Sequence, residues 1–221
     1  AAHDEADRIA ATLAALRAAF PQAALWVADD GSGDDTASIA EATGAGVVHG
    51  ERRRGKGQTM TDAARAALAD TSDDVVLLCD GDLGESAARL ASLVQTVLAG
   101  AEGGGGDADL AVAAFSRRAG GGFGVALGFA RWAIRRRCGL VAKAPLSGQR
   151  AMRASQLREL LPFADGYGME VGMTIDAVRA GLRVVEVELD LSHRATGRTL
   201  AGFLHRGRQL ADLMRVYRAR R

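Results

Sequence analysis

The chain has 221 residues, 48% of them hydrophobic and 25% charged, with a formal net charge of +1. Those figures are ordinary for a soluble globular protein long enough to bury a core, and they provide no global field that would favour nucleic acid. Two cysteines, Cys79 and Cys138, form no disulfide framework or metal spacing and fit a reducing, cytoplasmic setting, and no apolar run approaches the roughly 18 residues of a spanning helix.

Taken in order, the pattern predicts a helix over 4–20, where Ile9, Leu13, Leu16 and Phe20 recur at helical spacing before Pro21. A short strand over 24–28 leads into the turn "DDGSGDD" at 29–35, and a helix follows over 36–42. A strand at 46–49 feeds the loop "GERRRGKG" at 50–57, then a helix over 58–69. The continuous apolar run at 74–80 reads as a strand covered on both faces. Helix at 86–98, a glycine-rich loop at 100–109 and a strand at 110–115 come next. An apolar helix over 124–137 ends in Arg135, Arg136 and Arg137; 146–153 is extended, with a short helix to 161. A helix over 168–180, a strand over 182–189 and a closing amphipathic helix complete the chain. The apolar face of that last helix is read as Phe203, Leu210, Leu213, Met214 and Tyr217.

Alternation of helices and strands predicts one α/β domain over 1–221, doubly wound around a mostly parallel sheet. It divides into a first half, 1–99, and a second half, 107–221. A doubly wound domain normally opens on a central strand, whereas this chain opens on a helix, so a strand upstream of Ala1 is expected.

Ligands of open α/β sheets lie beyond the carboxyl ends of the strands. Three polar loops occupy such places: Asp29-Asp30-Gly31-Ser32, Gly50 to Gly57, and Asp80-Gly81-Asp82. Two carboxylates one residue apart at a strand end suit a hard divalent cation. The stretch "GERRRGKGQT" is nearly a P-loop, but Gly57 stands where the metal-binding hydroxyl is needed, which counts against an NTPase. Gly55 and Gly57 are read as letting the chain turn around Lys56, one of only two lysines.

In this order and spacing, "VADDGSGDDTASIA", "ERRRGKGQTM" and "VVLLCDGDL" resemble the nucleotide-sugar-binding half of the large glycosyltransferase family of GT-A fold that includes dolichyl-phosphate mannose synthase. The segments "PFADGYGMEVGMTIDAVRAGL" and "SHR" are similar to the C-terminal half of glucosyl-3-phosphoglycerate synthase. The resemblance implies a GT-A (Rossmann-like) fold and transfer of a sugar from a UDP- or GDP-sugar to an acceptor, with Mn²⁺ or Mg²⁺ as cofactor. It implies that Glu5, Asp29, Asp30, Lys56, Asp80 and Gly81 bind the nucleotide sugar. Asp80, Asp82 and His193 would form the metal site, and Asp82 and Glu170 would act in catalysis. Where the phosphoglycerate enzymes continue their glycine-rich stretch with Arg and Thr, this chain has Phe123, Gly124 and Val125, which disfavours that acceptor. A polyprenyl phosphate or another anionic small molecule suits the apolar, arginine-tipped helix at 124–137, as would peripheral contact with the inner face of a membrane or a homodimer face. A nucleotidyltransferase of related fold is the alternative.

Overall fold

The computed structural model describes residues 1–70, 74–99, 108–115, 124–192 and 200–221, with backbone alone at 200–206 and 208. The first half runs α1 (Ile9–Ala19), β1 (Trp26–Asp29), α2 (Thr36–Ala42), β2 (Gly46–His49), α3 (Lys56–Asp70), β3 (Val75–Leu78) and, after a 3-10 turn at Gly84–Leu90, α4 (Ala91–Ala99). The second half runs β4 (Leu110–Phe115), α5 (Val125–Cys138), β5 (Arg150–Arg153), α6 (Ala154–Leu160), α7 (Met169–Arg179), β6 (Val184–Leu189) and α8 (Leu200–Ala219).

The strands form a parallel pair, β1 with β2, and a four-stranded sheet in the order β3-β5-β4-β6. The expectation of a mostly parallel sheet is corrected here. β4 and β6 are parallel, but β5 runs antiparallel to both β3 and β4. The cause lies in α5, which packs against α7 and α8 rather than lying along the sheet as a crossover helix. The chain therefore re-enters the sheet from the end at which β4 leaves it, and β5 runs back.

Ala1 and Ala2 lie between the ends of β1 and β3. Ala2 N–H donates to Ala28 O (2.9 Å), and Asp30 N–H donates to Ala2 O (3.0 Å). On the other side Gly81 N–H donates to Ala1 O (2.7 Å), and the Ala1 amine donates to Cys79 O (2.7 Å). An apolar cavity of about 210 Å³, with Leu13, Val27, Met60 and Leu77 in its walls, lies along β1 and β3 beyond these two residues.

Apolar faces pack on both sides of the sheet. Leu16, Leu83, Leu90 and Leu93 cover one side against Ala111, Ala113 and Ala151. Met60, Ala63, Leu157, Phe163 and Met173 cover the other against Leu78, Leu110, Val112 and Met152. A third cluster joins α5, α7 and α8 through Ala130, Ile134, Val171, Ile175, Leu213 and Val216. The expected apolar face of α8 shifts accordingly: Val216 is buried with Leu213, whereas Met214 is exposed. No described helix is long and apolar enough to cross a membrane.

Candidate functional site

The site is built where β3 ends and α3 and α7 begin. Lys56 is the first residue of α3, so the helix starts two residues earlier than its pattern predicts. A cation there opposes the positive end of the helix dipole and needs compensation. Two carboxylates provide it. Lys56 Nζ lies 2.6 Å from Asp80 Oδ1 and 2.8 Å from Glu170 Oε1. Burial works against the ammonium, but Asp80 and Glu170 outweigh it and push its pKa above the usual lysine range. Burial likewise opposes ionisation of Asp80, yet the Lys56 ammonium and the Gln149 amide hold its carboxyl below its ordinary value. Glu170, in the first turn of α7, is buried and at the favourable end of that helix.

Antiparallel pairing of β3 with β5 delivers the residues around Asp80. Leu78 pairs with Arg150. Continuing that register sets Gln149 beside Cys79 and Gly148 opposite Asp80. Gln149 Nε2 donates to Asp80 Oδ2 at 2.7 Å. A Cβ on Gly148 would stand 2.6 Å from Lys56 Nζ and 2.9 Å from both Asp80 oxygens, so only glycine leaves room for the ion pair. Sequence reasoning missed both residues. "LSGQR" was legible as an extended segment, but nothing in it announced that it would cross over to β3.

Gly57 also acquires a different role. It lies inside the first turn of α3, not in a turn around Lys56, and a Cβ there would meet Ala164 O at 1.9 Å. The glycine lets α3 lie directly on the segment leading to Glu170. The chain turns at Gly55, with φ +100°.

The remaining predicted residues divide as follows. Asp30 is buried, and its carboxylate accepts from Arg54 N–H, Gly55 N–H and Thr59 Oγ1, all within 3.0 Å. It thereby holds the 50–57 loop. Asp29 is buried and accepts from the Ser32 N–H (3.2 Å), the Ser32 hydroxyl and His49 Nδ1 (2.5 Å). Glu5 N–H donates to Thr36 Oγ1 at 2.8 Å, which places the segment after Ala2 over the start of α2. Gly81 is buried against Ala1 and Ile9, and Asp82 receives Arg8 Nη1 on its backbone carbonyl (3.3 Å). His193 lies outside the described residues. Among the described residues, no group of three His, Cys, Asp or Glu side chains gathers as a metal cage. The donor chemistry of Asp80 and Asp82, two carboxylates around one small residue, still fits a hard divalent cation that takes its other ligands from a phosphate and water.

Beneath the ion pair sits Arg150, only 1% exposed. Its Nε donates to Ser147 O (2.9 Å) and its Nη1 to Thr174 Oγ1 (3.0 Å), while the Thr174 hydroxyl donates to Glu170 O (2.9 Å). Burial lowers the guanidinium pKa to about 10, against the fields of Glu170 and Glu186. Arg150 so links the strand behind Gln149 to the helix turn that carries Glu170.

Acidic and basic groups gather beyond the carboxyl end of β3, on two helices that cover the same face of the sheet, which is where open α/β sheets place their ligands. The chain belongs to a family with that architecture: residues 1–109 match the model of glycosyl transferase family 2. It is 31% identical to undecaprenyl-phosphate mannosyltransferase of Micrococcus luteus, over 88% of this chain and 82% of that protein. It is 35% identical to glucosyl-3-phosphoglycerate synthase of Mycobacterium tuberculosis over 86% of this chain, but spans only 59% of that protein's length. The crystal structure of the M. tuberculosis synthase in complex with Mn²⁺, uridine diphosphate and phosphoglyceric acid superposes with a TM-score of 0.77 at 30% identity, covering all of this chain and 75% of that one. A second structure of that synthase, with Mg²⁺ and uridine diphosphate, superposes with a TM-score of 0.72 at 29% identity, again over all of this chain and 76% of that one.

Proposed function

We propose that this chain is a metal-dependent hexosyltransferase that moves a sugar from a nucleotide-diphosphate donor, UDP-linked in the first instance, to an anionic small acceptor such as a polyprenyl phosphate. The observation that carries this reading is Lys56 clasped between Asp80 and Glu170 beyond the carboxyl end of β3. A glycosyl transfer must stabilise a leaving diphosphate, and a half-buried lysine held charged between two carboxylates is a group that does so with little reorganisation. The two structures of the M. tuberculosis synthase, one with Mn²⁺ and one with Mg²⁺, each with uridine diphosphate, support the choice of donor and cation.

In this reading Asp80 and Asp82 hold the divalent cation, with His193 as a third residue. When bound, that cation supplies Lewis-acid neutralisation of the diphosphate. Lys56 faces the same phosphates from α3. Glu170 touches the sugar or acceptor, and Lys56 keeps it oriented. A phosphate acceptor is ionised at neutral pH and needs no base. For a hydroxyl acceptor, Glu170 or Asp165 would take the proton. Asp29, Asp30 and Glu5 shape the nucleoside end, the first two by fixing the loops around it. We also read Ala1–Ala2 as the end of a strand between β1 and β3, and the whole of 1–221 as one GT-A domain acting on the cytoplasmic side.

A thermal-shift panel of UDP-glucose, GDP-mannose, UDP and ATP, with and without Mn²⁺, tests the class and the donor base together. Stabilisation by a nucleotide sugar that grows with Mn²⁺ is expected, and Asp82→Ala should remove the Mn²⁺-dependent part. ATP turnover without nucleotide-sugar binding would overturn the reading.

A further inference from the structure

The carboxyl ends of α5, α7 and α8 converge on one side of the protein. Arg137 donates from Nη2 to Tyr217 O (2.7 Å), and Arg179 donates to Arg137 O (3.3 Å) and Arg220 O (2.9 Å). These three contacts satisfy carbonyls that helices leave open at their ends. Other arginines of the same helices point to solvent: Arg135 and Arg136 on α5, Arg218 on α8 and Arg221 just beyond it. α5 carries no acidic residue. The nearby carboxylates, Asp176 and Asp212, are ion-paired with Arg220 and Arg215.

Apolar groups stand among these cations. Trp132, half exposed, packs 4.8 Å from the Tyr217 ring and 5.5 Å from Phe129. The Arg137 guanidinium covers Tyr217 at 3.7 Å. Trp132, Arg135 and Arg136 share one face of α5 by their spacing of three and four, and exposed Met214 shares a face of α8 with Arg218. The Trp132–Tyr217 contact sets the two faces side by side.

We propose that this face docks on the surface of a bilayer containing anionic lipid. Indole and thioether side chains ringed by arginines match the headgroup boundary, where apolar parts enter and guanidinium groups meet lipid phosphate. A second copy of the chain fits less well, because a two-fold contact would set this arginine cluster near its own image. The docked helix also reaches the site: Asp212 on α8 accepts from Tyr167 N–H (3.1 Å), in the Gly166–Gly168 turn that leads into Glu170. Docking here goes beyond the transfer chemistry and is read without it.

The test is co-sedimentation of the 221-residue chain with phosphatidylcholine vesicles that do or do not contain phosphatidylglycerol, at low and high salt. Binding only to the phosphatidylglycerol vesicles, weakened by salt, is expected. The variant R135Q/R136Q/R218Q should lose on the order of 100-fold in vesicle affinity, since each basic residue near an anionic surface contributes about fivefold. Trp132→Ala should weaken binding several-fold at both salt concentrations, and both variants should bind UDP as the parent does. Absence of sedimentation or equal binding to phosphatidylcholine alone would overturn the proposal. So would a dimer in analytical ultracentrifugation that the triple variant dissolves, or displacement from vesicles by homopolymer RNA at equal charge.

Discussion

Lys56 is the residue on which most of the site turns. It is one of two lysines in a chain that otherwise uses arginine, and its compact ammonium fits between two carboxylates where a planar guanidinium would not. Lys56→Ala should weaken UDP binding about 10- to 100-fold, the size of one or two charge-assisted hydrogen bonds, and leave uridine affinity unchanged. Calorimetry with both ligands checks this; an equal loss for the nucleoside would contradict a diphosphate role. Asp80 makes a pH prediction. Its pKa is depressed in the folded chain, so its contribution to stability is present above the unfolded value of about 4 and is lost as the pH falls through the folded value. Lys56 has a raised pKa and contributes below about 10.4, so it adds nothing to the acid limb. Tm measured below pH 4 should therefore fall more steeply for the parent than for Asp80→Asn, and parallel slopes would remove Asp80 from the account.

At the scale of elements, the site is an agreement among four pieces: the end of β3, the first turns of α3 and α7, and the segment entering β5. Gly57 lets α3 touch the 164–165 backbone, and Gly148 lets the β5 entry touch the ion pair. Arg150 ties that entry to α7 through Ser147 and Thr174. Replacing it by Met keeps bulk but removes those bonds, so α7 loses its register against β5. Misplacement of an ångström is expensive in catalysis. Arg150→Met should lower kcat about 10- to 100-fold while UDP affinity stays within about twofold, because the tie acts on Glu170 rather than on the phosphates. A uniform loss of UDP binding and kcat would show that Arg150 supports the whole fold instead.

Across the whole molecule, the two halves of the chain are joined both by the core and by the site. Met60 and Ala63 pack with Leu157 and Met173, and Lys56 pairs with Glu170 across the same boundary. The third cluster makes α8 part of this structure rather than a tail. Leu213 is fully buried between α5 and α7. Leu213→Ala should cost about 2–5 kcal/mol in urea unfolding, the range of large-to-small core substitutions. A loss near zero would mean that α8 is not seated in solution.

Local patterns carried a great deal. The period of apolar residues located nearly every element, with 36–42, 46–49 and 110–115 matching α2, β2 and β4 to the residue. The loops that follow β1, β2 and β3 stood out because polar residues at strand ends are visible in one dimension. Lys56 and Asp80 were legible for the same reason. Strand direction was not, since a short extended segment such as 150–153 reads alike in either sense. Its antiparallel course depends on where α5 packs, and that is decided by the faces of α7 and α8, far along the chain. The contacts of Gly148 and Gln149 with Asp80 follow from that reversal, and Val216 displaced Met214 from the core by the same helix packing. Sequence alone determined which segments form and which loops bear charge, because propensity and amphipathic period are local. Only the tertiary structure decided which charges meet, because Lys56, Asp80, Gln149 and Glu170 come together through sheet register and helix packing rather than through proximity along the chain.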